Sequence, residues 1–199
     1  LDSAPHPTAE IRSMIIKPVY GDGFYVEISR GCRWLCKFCL ESFITYPYRV
    51  RSLSTLIKLI EEGLRKVTSR RVVIYSLSTF DHPAIRELLR YFINNEIDFS
   101  LPSLRWDTVG VEDLDLISAS SQRTLTLAPE VIDTYLSCFL GKCFAEDRFT
   151  ELAEGALRRG FDLKLYLMVG IPGESAETLH SAVRYLKKLV SYAKGLGRR

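Results

Sequence analysis

Cys32, Cys36 and Cys39 are the residues whose types and spacing point most directly to chemistry in this chain. They stand at CxxxCxxC spacing, immediately after a stretch that predicts a strand. Thiolates bind soft metals, and cysteines this close in sequence can reach one metal centre from a single loop. Three thiolates are one too few for a closed tetrahedral zinc site or a fully ligated iron–sulfur cluster. The motif therefore predicts a metal centre with one open coordination position.

The elements that position this loop alternate between strands and helices. Short apolar runs predict strands at residues 24–29, 71–76, 97–104, 123–127 and 163–169. Helical spacing of apolar residues predicts helices from Ser52 or Ser54 onward and at residues 83–95, 111–119, 131–159 (broken near Gly141) and 175–194. The last helix is expected to present one apolar face, formed by Leu179, Val183, Leu186, Leu189 and Val190.

Strands that read as near-continuous apolar runs indicate a parallel sheet buried on both faces. Right-handed crossovers then give either an open doubly wound sheet or part of a (β/α) barrel. In both architectures ligands bind at the carboxyl ends of the strands. Polar or Gly/Pro-rich segments follow all five predicted strands, namely the cysteine loop and residues 76–82, 103–107, 128–130 and 170–174. We expect these five segments to meet at one mouth.

The bulk composition is that of an ordinary globular chain, with 47% hydrophobic and 26% charged residues and a net charge of +3 over 199 residues. This length fits one domain, which we place at residues 23–199 after an irregular lead-in at residues 1–22. No apolar run approaches the roughly 20 residues needed to cross a bilayer, and no secretory segment is seen, so no membrane partner is expected. Five cysteines, three of them clustered, make a poor disulfide framework and favour a reducing, cytoplasmic setting. Because the chain begins at Leu1, we expect a fragment of a longer protein.

The cysteine motif, with the aromatic Phe38 just before its third cysteine and the segment at residues 169–174, resembles the radical S-adenosylmethionine (radical SAM) superfamily. The resemblance implies a [4Fe-4S] cluster on Cys32, Cys36 and Cys39, whose fourth iron binds S-adenosylmethionine. It also implies reductive cleavage to a 5′-deoxyadenosyl radical and an electron donor such as flavodoxin or ferredoxin. The fold it implies is a partial (β/α) TIM-type barrel of about five to six parallel strands with outer helices.

Four further segments narrow the resemblance to the branch whose members often carry an N-terminal cobalamin-binding domain. They are residues 49–52, 102–107, 126–130 and 170–174. Cobalamin would bind through a domain that is not in this chain. The substrate is open among a small molecule, a peptide and RNA, because substrate residues in such enzymes lie on loops and added domains. The reaction is equally open among hydrogen abstraction, methylation and a related radical modification.

The resemblance also implies roles for individual cofactor-binding residues. Phe38 would lie near the adenine, and Arg105 would bind the methionine carboxylate through its guanidinium fork. Residues 76–79 take the place of the family's Gly-Gly-Glu segment but carry no carboxylate, so Ser76 and Ser78 would hold the methionine amino group. Glu130 would contact the ribose or the amino group. The backbone of three consecutive residues would line the adenine, namely Val169, Gly170 and Ile171.

Other readings stay open on the residues alone. A zinc knuckle could recruit a distant fourth ligand from Cys138, Cys143, His82 or His180, which would make the protein a non-catalytic zinc or iron–sulfur module. A tRNA methylthiotransferase-like enzyme is the alternative within the superfamily. Cys138 and Cys143 are otherwise expected to be buried or free thiols. Plainer roles are also open for Arg105 and Asp107 as an ion pair, and for Glu130 as a helix cap.

Overall fold

Strands and helices alternate along residues 1–8 and 20–197, the part of the chain that the computed structural model describes. The strands are β1 (Phe24–Glu27), β2 (Ser29–Arg30), β3 (Arg49–Val50), β4 (Arg71–Tyr75), β5 (Asp98–Ser100), β6 (Thr124–Glu130) and β7 (Asp162–Leu167). The helices are α1 (Leu40–Ile44), α2 (Leu53–Leu64), α3 (Ile85–Asn94), α4 (Asp113–Ser118), α5 (Thr134–Phe139), α6 (Glu146–Arg158) and α7 (Ala176–Gly195). Single 3₁₀ turns lie at Thr79–Asp81 and Trp106–Thr108.

The five strands predicted from apolar runs are present and pair in parallel. β1, β4 and β5 form one sheet in the order β1-β4-β5, and β6 pairs with β7. Val72, Val73 and Ile74 in the central strand β4 are fully buried, as expected for a strand that is covered on both faces. One continuous core contains side chains from both sheets. The α/β prediction is confirmed, and within residues 1–8 and 20–197 no sixth parallel strand joins these five.

β5 is shorter than the predicted strand at residues 97–104. Its pairing with β4 ends at Ser100, and the backbone N–H of Leu101 donates to Gln122 Oε1 at 3.0 Å instead of to a strand. The next residue, Pro102, has no N–H to offer a sheet ladder. The chain therefore leaves the sheet at this point, and no ladder joins β5 to β6 among the described residues.

A small antiparallel pair, absent from the sequence-based prediction, closes the base of the cysteine loop. β2 pairs with β3 through Ser29 opposite Val50 and Arg30 opposite Arg49. Gly31 follows with φ +84°, and a Cβ there would clash with the carbonyl oxygens of Thr45 and Pro47. Residues 46–51, expected as an extended connector, thus return to the strand that precedes the cysteines.

The predicted helix boundaries are largely confirmed. Ser52 caps α2 by accepting from the N–H of Thr55, and the helical stretch at residues 131–159 breaks at Gly141, where φ is +82°. The apolar face predicted for α7 is only partly covered, because Val183 and Val190 are 47% and 52% exposed. In the described residues no helix has the length and apolar character that a bilayer crossing requires.

The first residues of the lead-in are fixed by a buried arginine. Arg51 is 1% exposed, and its Nη1 donates to the carbonyl oxygens of Leu1 and Ala4 at 2.9 and 3.1 Å. Its Nε donates to the carbonyl of Glu27 at 3.1 Å. Arg51 therefore ties the start of the chain to the end of β1, directly before the cysteine loop. The predicted division at residue 22 stays a prediction, because residues 9–19 lie outside the described part.

Candidate cofactor site

The three cysteines border one cavity of about 250 Å³, here called the cysteine cavity. Four of the five strand ends supply its walls: the cysteine loop, the segment after β4, the segment after β5 and the end of β6. Lys142, from the turn after α5, completes it. The lining residues are Cys32, Cys36, Phe38, Cys39, Ser42, Leu77, Ser78, Pro102, Ser103, Leu104, Arg105, Thr126, Ala128, Glu130 and Lys142. The predicted convergence at the carboxyl ends is therefore found for four segments, and residues 170–174 do not line this cavity.

Cys32, Cys36 and Cys39 are free thiols held by a tight loop. Cys36 is buried, whereas the other two are half-buried, and burial raises the pKa of the Cys32 thiol. The N–H of Cys39 donates to the carbonyl of Cys36 at 2.9 Å. No three Cys, His, Asp or Glu side chains in residues 1–8 and 20–197 converge as ligands of one metal ion would. A four-iron cluster does not need that convergence, since each thiolate binds its own iron.

Arg105 lies against Cys36 with its guanidinium held on several sides. Nη1 donates to Cys36 Sγ at 3.1 Å, and Nη2 donates to Asp107 Oδ2 at 2.8 Å. Nε lies 2.7 Å from Asp107 Oδ1, so the pair is a two-point ion pair. The guanidinium carbon stacks 4.0 Å from the ring centre of Trp34, a favourable cation–π geometry. The alternative reading of Arg105 and Asp107 as an ion pair is thus confirmed, and the pair directly touches a cysteine.

Ser76 and Ser78, which the resemblance placed together at the amino group, have different surroundings. Ser76 Oγ forms a hydrogen bond with Ser29 Oγ at 2.8 Å and accepts another from the N–H of Ser78 at 3.1 Å. Ser76 does not line the cysteine cavity, and its hydroxyl supports the turn after β4. Ser78 does line the cavity, and its buried hydroxyl has no hydrogen-bond partner among the described residues. A buried hydroxyl without a hydrogen-bond partner costs free energy, so Ser78 is a candidate ligand-binding residue.

Glu130 and Lys142 form an ion pair on the opposite wall. Lys142 Nζ lies 2.9 Å from Glu130 Oε1, and the two side chains are 9% and 14% exposed. Glu130 has φ +66°, an unusual conformation for a residue other than glycine, and it follows an irregularity in the β6–β7 pairing. Sequence reasoning selected Glu130 and missed Lys142. The only local signal for Lys142 was its position directly after the helix-breaking Gly141.

Cys138 and Cys143 form a disulfide, so the expectation that they are free thiols is wrong. Their six-residue ring is formed by the end of α5 and the turn at Gly141, which brings the two Cα atoms to 4.0 Å. The ring contacts the cysteine loop, because the N–H of Lys37 donates to the carbonyl of Leu140 at 2.9 Å. Cys36 Sγ also lies 3.5 Å from the carbonyl of Gly141. The disulfide therefore fixes a turn that packs directly on the cysteine loop.

The remaining predicted adenine contacts are divided between two places. Phe38 lines the cysteine cavity and is 41% exposed, so its ring is available to a ligand. Val169 is 73% exposed and borders a neighbouring groove that shares only Glu130 with the cysteine cavity. Gly170 has φ +85° and donates its N–H to Glu174 Oε2 at 2.6 Å, whereas Ile171 packs on a small cluster around Val131. The structure thus does not bring residues 169–171 to the wall of the cysteine cavity.

The donor set fits a three-thiolate cluster with an amino-acid-bearing ligand. Three free thiols border one cavity with a buried hydroxyl that lacks a partner, a carboxylate and two cations. Thiolates are the ligands of iron–sulfur clusters, while the hydroxyl, the carboxylate and the cations match the ammonium and carboxylate of methionine. The fold and this cavity define a class: a (β/α) domain with three free thiols on a cavity at the carboxyl ends of its strands.

Residues 26–186 match the family model of the Radical SAM superfamily. The match covers most of the chain, and the chain belongs to this superfamily. Membership implies the [4Fe-4S] cluster and S-adenosylmethionine that the resemblance predicted. The predicted partial TIM-type barrel is confirmed at the level of the fold.

Two curated relatives illustrate the range of the similarity. An uncharacterised protein of Methanocaldococcus jannaschii is 36% identical over 171 residues, which cover 85% of this chain and 38% of that protein. The ribosomal protein uS12 methylthiotransferase RimO of Dictyoglomus thermophilum is 22% identical over 176 residues, covering 82% of this chain and 40% of that protein. The chain therefore spans about two fifths of the length of these relatives.

Two solved structures share the fold. The radical S-adenosylmethionine methyltransferase TsrM of Kitasatospora setae, with cobalamin and a [4Fe-4S] cluster bound, superposes with a TM-score of 0.68 at 18% identity, covering 83% of this chain and 34% of that one. The cobalamin-dependent S-adenosylmethionine radical enzyme OxsB gives a TM-score of 0.64 at 15% identity, covering 81% of this chain and 26% of that one. At these identities the likeness concerns the fold alone.

Proposed function

We propose that this domain holds a [4Fe-4S] cluster on Cys32, Cys36 and Cys39 and reductively cleaves S-adenosylmethionine bound in the cysteine cavity. The observation that carries the proposal is the position of three free thiols on one cavity with the ends of four strands. When bound, the cluster supplies the electron and the open iron for production of a 5′-deoxyadenosyl radical. The chain's own residues bind and orient S-adenosylmethionine and shield the reacting bond.

Ser78 is the residue we assign to the methionine amino group. Its hydroxyl is buried on the cavity wall without a protein partner, and a hydroxyl oxygen can accept from an ammonium. Ser76 acts behind it by accepting from the N–H of Ser78 and fixing the turn. Glu130 is assigned to the ribose or the amino group, with Lys142 holding its carboxylate in place.

The carboxylate and the adenine of S-adenosylmethionine have several candidate contacts. Lys142 and Arg105 are the two cations of the cavity, and each is already paired with an acid. Phe38 presents an exposed ring that can stack on the adenine. The backbone of residues 169–171 would contact the adenine only if the adenine extends past Glu130 into the neighbouring groove.

The class of reaction is hydrogen abstraction, methylation or a related radical modification. TsrM has cobalamin bound and OxsB is cobalamin-dependent, which supports a cobalamin-binding domain elsewhere in the parent protein. The similarity to RimO supports a methylthiotransferase-like enzyme as the second candidate. The proposal includes an electron donor such as flavodoxin or ferredoxin and a cytoplasmic location. The substrate is a small molecule, a peptide or RNA.

Anaerobic reconstitution with iron and sulfide, followed by S-adenosylmethionine and a strong reductant, tests the proposal. We expect about four irons per chain and release of 5′-deoxyadenosine with methionine, and we expect Cys36→Ala to lose both. The double variant Cys138→Ser/Cys143→Ser is the matched cysteine control and should retain its iron. Stoichiometric zinc without an iron–sulfur chromophore would contradict the proposal and favour a zinc module. Iron loss in the control as well would show that the turn held by the disulfide supports the cysteine loop.

A further inference from the structure

Arg105 is a buried cation whose guanidinium lies against two protein groups, Asp107 and Cys36. The residue is 7% exposed, and its three guanidinium nitrogens lie 2.7, 2.8 and 3.1 Å from Asp107 Oδ1, Asp107 Oδ2 and Cys36 Sγ. The face of the guanidinium is covered by Trp34 at 4.0 Å. Trp34 is itself anchored by its indole N–H, which donates to Asp81 Oδ2 at 2.5 Å. These contacts fix the position and the plane of the guanidinium.

This environment differs from that of a residue poised to grip a free carboxylate. Arginine binds a carboxylate best through two parallel N–H groups. Nη2 of Arg105 already donates to Asp107 Oδ2, and Nε lies 2.7 Å from Oδ1 without forming a hydrogen bond to a described residue. Recruiting a ligand carboxylate with the same edge would release Asp107, of which Oδ1 is fully buried. The nitrogen that does not face Asp107 donates to a metal-binding cysteine. The contacts of Arg105 are therefore directed at the sulfur more than at the cavity.

We propose that Arg105 is a positioning residue that orients the Cys36 sulfur and raises the reduction potential of the cluster through an N–H···S hydrogen bond. This inference rests on the proposed function, because it needs the cluster on Cys32, Cys36 and Cys39. Hydrogen bonds to the sulfurs are among the protein's means of setting cluster potential. Reduction adds negative charge to the cluster. A cation and donor at a ligand sulfur stabilise the reduced state more than the oxidised state.

Asp107 and Trp34 make this role selective for arginine. Asp107 balances the buried charge, and the Trp34 ring lies 4.0 Å from the guanidinium carbon. A lysine keeps the charge, but its ammonium has no fork that could meet Asp107 at two points while donating to Cys36. The Arg105→Lys variant should therefore retain part of the effect, and Arg105→Gln should lose the charge and most of the effect.

The test is an EPR-monitored redox titration of the reconstituted protein without S-adenosylmethionine. We expect Arg105→Gln to lower the equilibrium constant for cluster reduction about tenfold, which corresponds to about 59 mV for one electron. Arg105→Lys should fall between this variant and wild type. Arg159→Gln is the matched control, because Arg159 also forms a two-point pair with a carboxylate, Asp115, but does not line the cysteine cavity.

The outcomes separate this inference from the proposed function. A wild-type protein without a four-iron signal would refute the proposed function itself. A normal cluster whose potential is unchanged in Arg105→Gln and Arg105→Lys, with weaker S-adenosylmethionine binding, would overturn the inference and return Arg105 to the carboxylate. If Arg105→Gln does not retain a cluster, Arg105→Lys decides by its potential alone. Greater solvent access would stabilise the more charged reduced cluster, so loosening of the site cannot mimic a lower potential.

Discussion

Replacing Ser78 by alanine tests whether a hydroxyl without a protein partner serves the cofactor. Ser78 Oγ is buried on the wall of the cysteine cavity and makes no hydrogen bond among the described residues. Ser42 lies on the same cavity, but its hydroxyl donates to the carbonyl of Cys39 at 3.1 Å. Ser42→Ala is therefore a matched control that removes a hydroxyl already in use.

The two substitutions should have opposite effects on the apo protein. Ser42→Ala loses a made hydrogen bond and should lower the free energy of unfolding by about 1 kcal/mol. Ser78→Ala removes a buried hydroxyl with no protein partner, so no hydrogen bond is lost. Its free energy of unfolding should accordingly stay unchanged or rise by up to about 1 kcal/mol. Urea unfolding of the apo protein measures both values.

The effect on binding should be large only for the Ser78 variant. A hydrogen bond to a charged group contributes about 1.5–3 kcal/mol, so losing the contact with the methionine ammonium should weaken S-adenosylmethionine binding by about tenfold or more. Calorimetric titration of the reconstituted protein measures this affinity, with an S-adenosylmethionine analogue lacking the amino group as a second ligand. That analogue should bind wild type and Ser78→Ala alike. Equal affinity of both proteins for S-adenosylmethionine itself would refute the assignment of Ser78.

Three further predictions concern the scaffold around the cavity. The Cys138–Cys143 disulfide can be reduced in a Cys32→Ser/Cys36→Ser/Cys39→Ser background, which leaves no other thiols. Reduction should lower the free energy of unfolding by about 2 kcal/mol, the loop-closure entropy of a six-residue ring. Equal urea midpoints of the oxidised and reduced forms would contradict this prediction. Gly63→Ala should destabilise the protein, because the new methyl group would overlap the buried Phe24 ring. The overlap costs about 1–3 kcal/mol, whereas the higher helix propensity of alanine gains about 1 kcal/mol. Gly195→Ala meets no atom and should not destabilise, and urea unfolding compares the two variants. Burial lowers the pKa of His82 below its ordinary value of about 6.5 in the unfolded chain. The free energy of unfolding should therefore fall as pH drops below about 6.5, and His82→Gln should flatten this part of the pH profile.

The His82 prediction follows from contacts that define its neutral form. His82 is 2% exposed, and its Nε2 lies 2.8 Å from the carbonyl of Arg51, while Nδ1 accepts from the N–H of Ala84 at 3.2 Å. A doubly protonated ring would lose the second contact and place a charge in the core. The unfolded chain therefore binds the proton more readily, and stability is lost toward acid pH. His82 thus has a structural role, because both of its ring nitrogens lie within hydrogen-bond distance of backbone groups.

The strands could be predicted because burial on both faces leaves a direct mark on the sequence. The apolar run at residues 71–75 became the central strand β4, and Ser52 and Gly141 marked a helix start and a helix break as expected. The β2–β3 pair could not be predicted, because two residues per strand carry no periodic pattern. Val183 and Val190 on the predicted face of α7 are exposed, since helical spacing predicts a face but not what covers it.

The site was predictable where residue type alone decides the chemistry. Three cysteines at close spacing define a thiolate site in any fold, and they do line one cavity. Ser76 and Ser78 could not be told apart from sequence, because only the Ser29 hydroxyl, a neighbour in space, decides which of them is already bonded. Lys142 was missed for a similar reason, as its partner Glu130 lies twelve residues earlier in the chain and meets it only in the folded structure.

The irregular end of β5 links the sequence to the chemistry of the cavity. Had the strand continued to Leu104 as predicted, its backbone would be committed to a sheet ladder. Pro102 prevents this, and the freed carbonyl of Ser103 instead accepts from both the N–H and the hydroxyl of Thr79, at 3.2 and 2.8 Å. That pair of bonds fixes the turn that presents Ser78, and two residues further on the same segment delivers Arg105 to Cys36. One proline therefore positions both the proposed ammonium ligand and the proposed sulfur donor, so the two roles should be lost together if this segment is forced back into regular strand pairing.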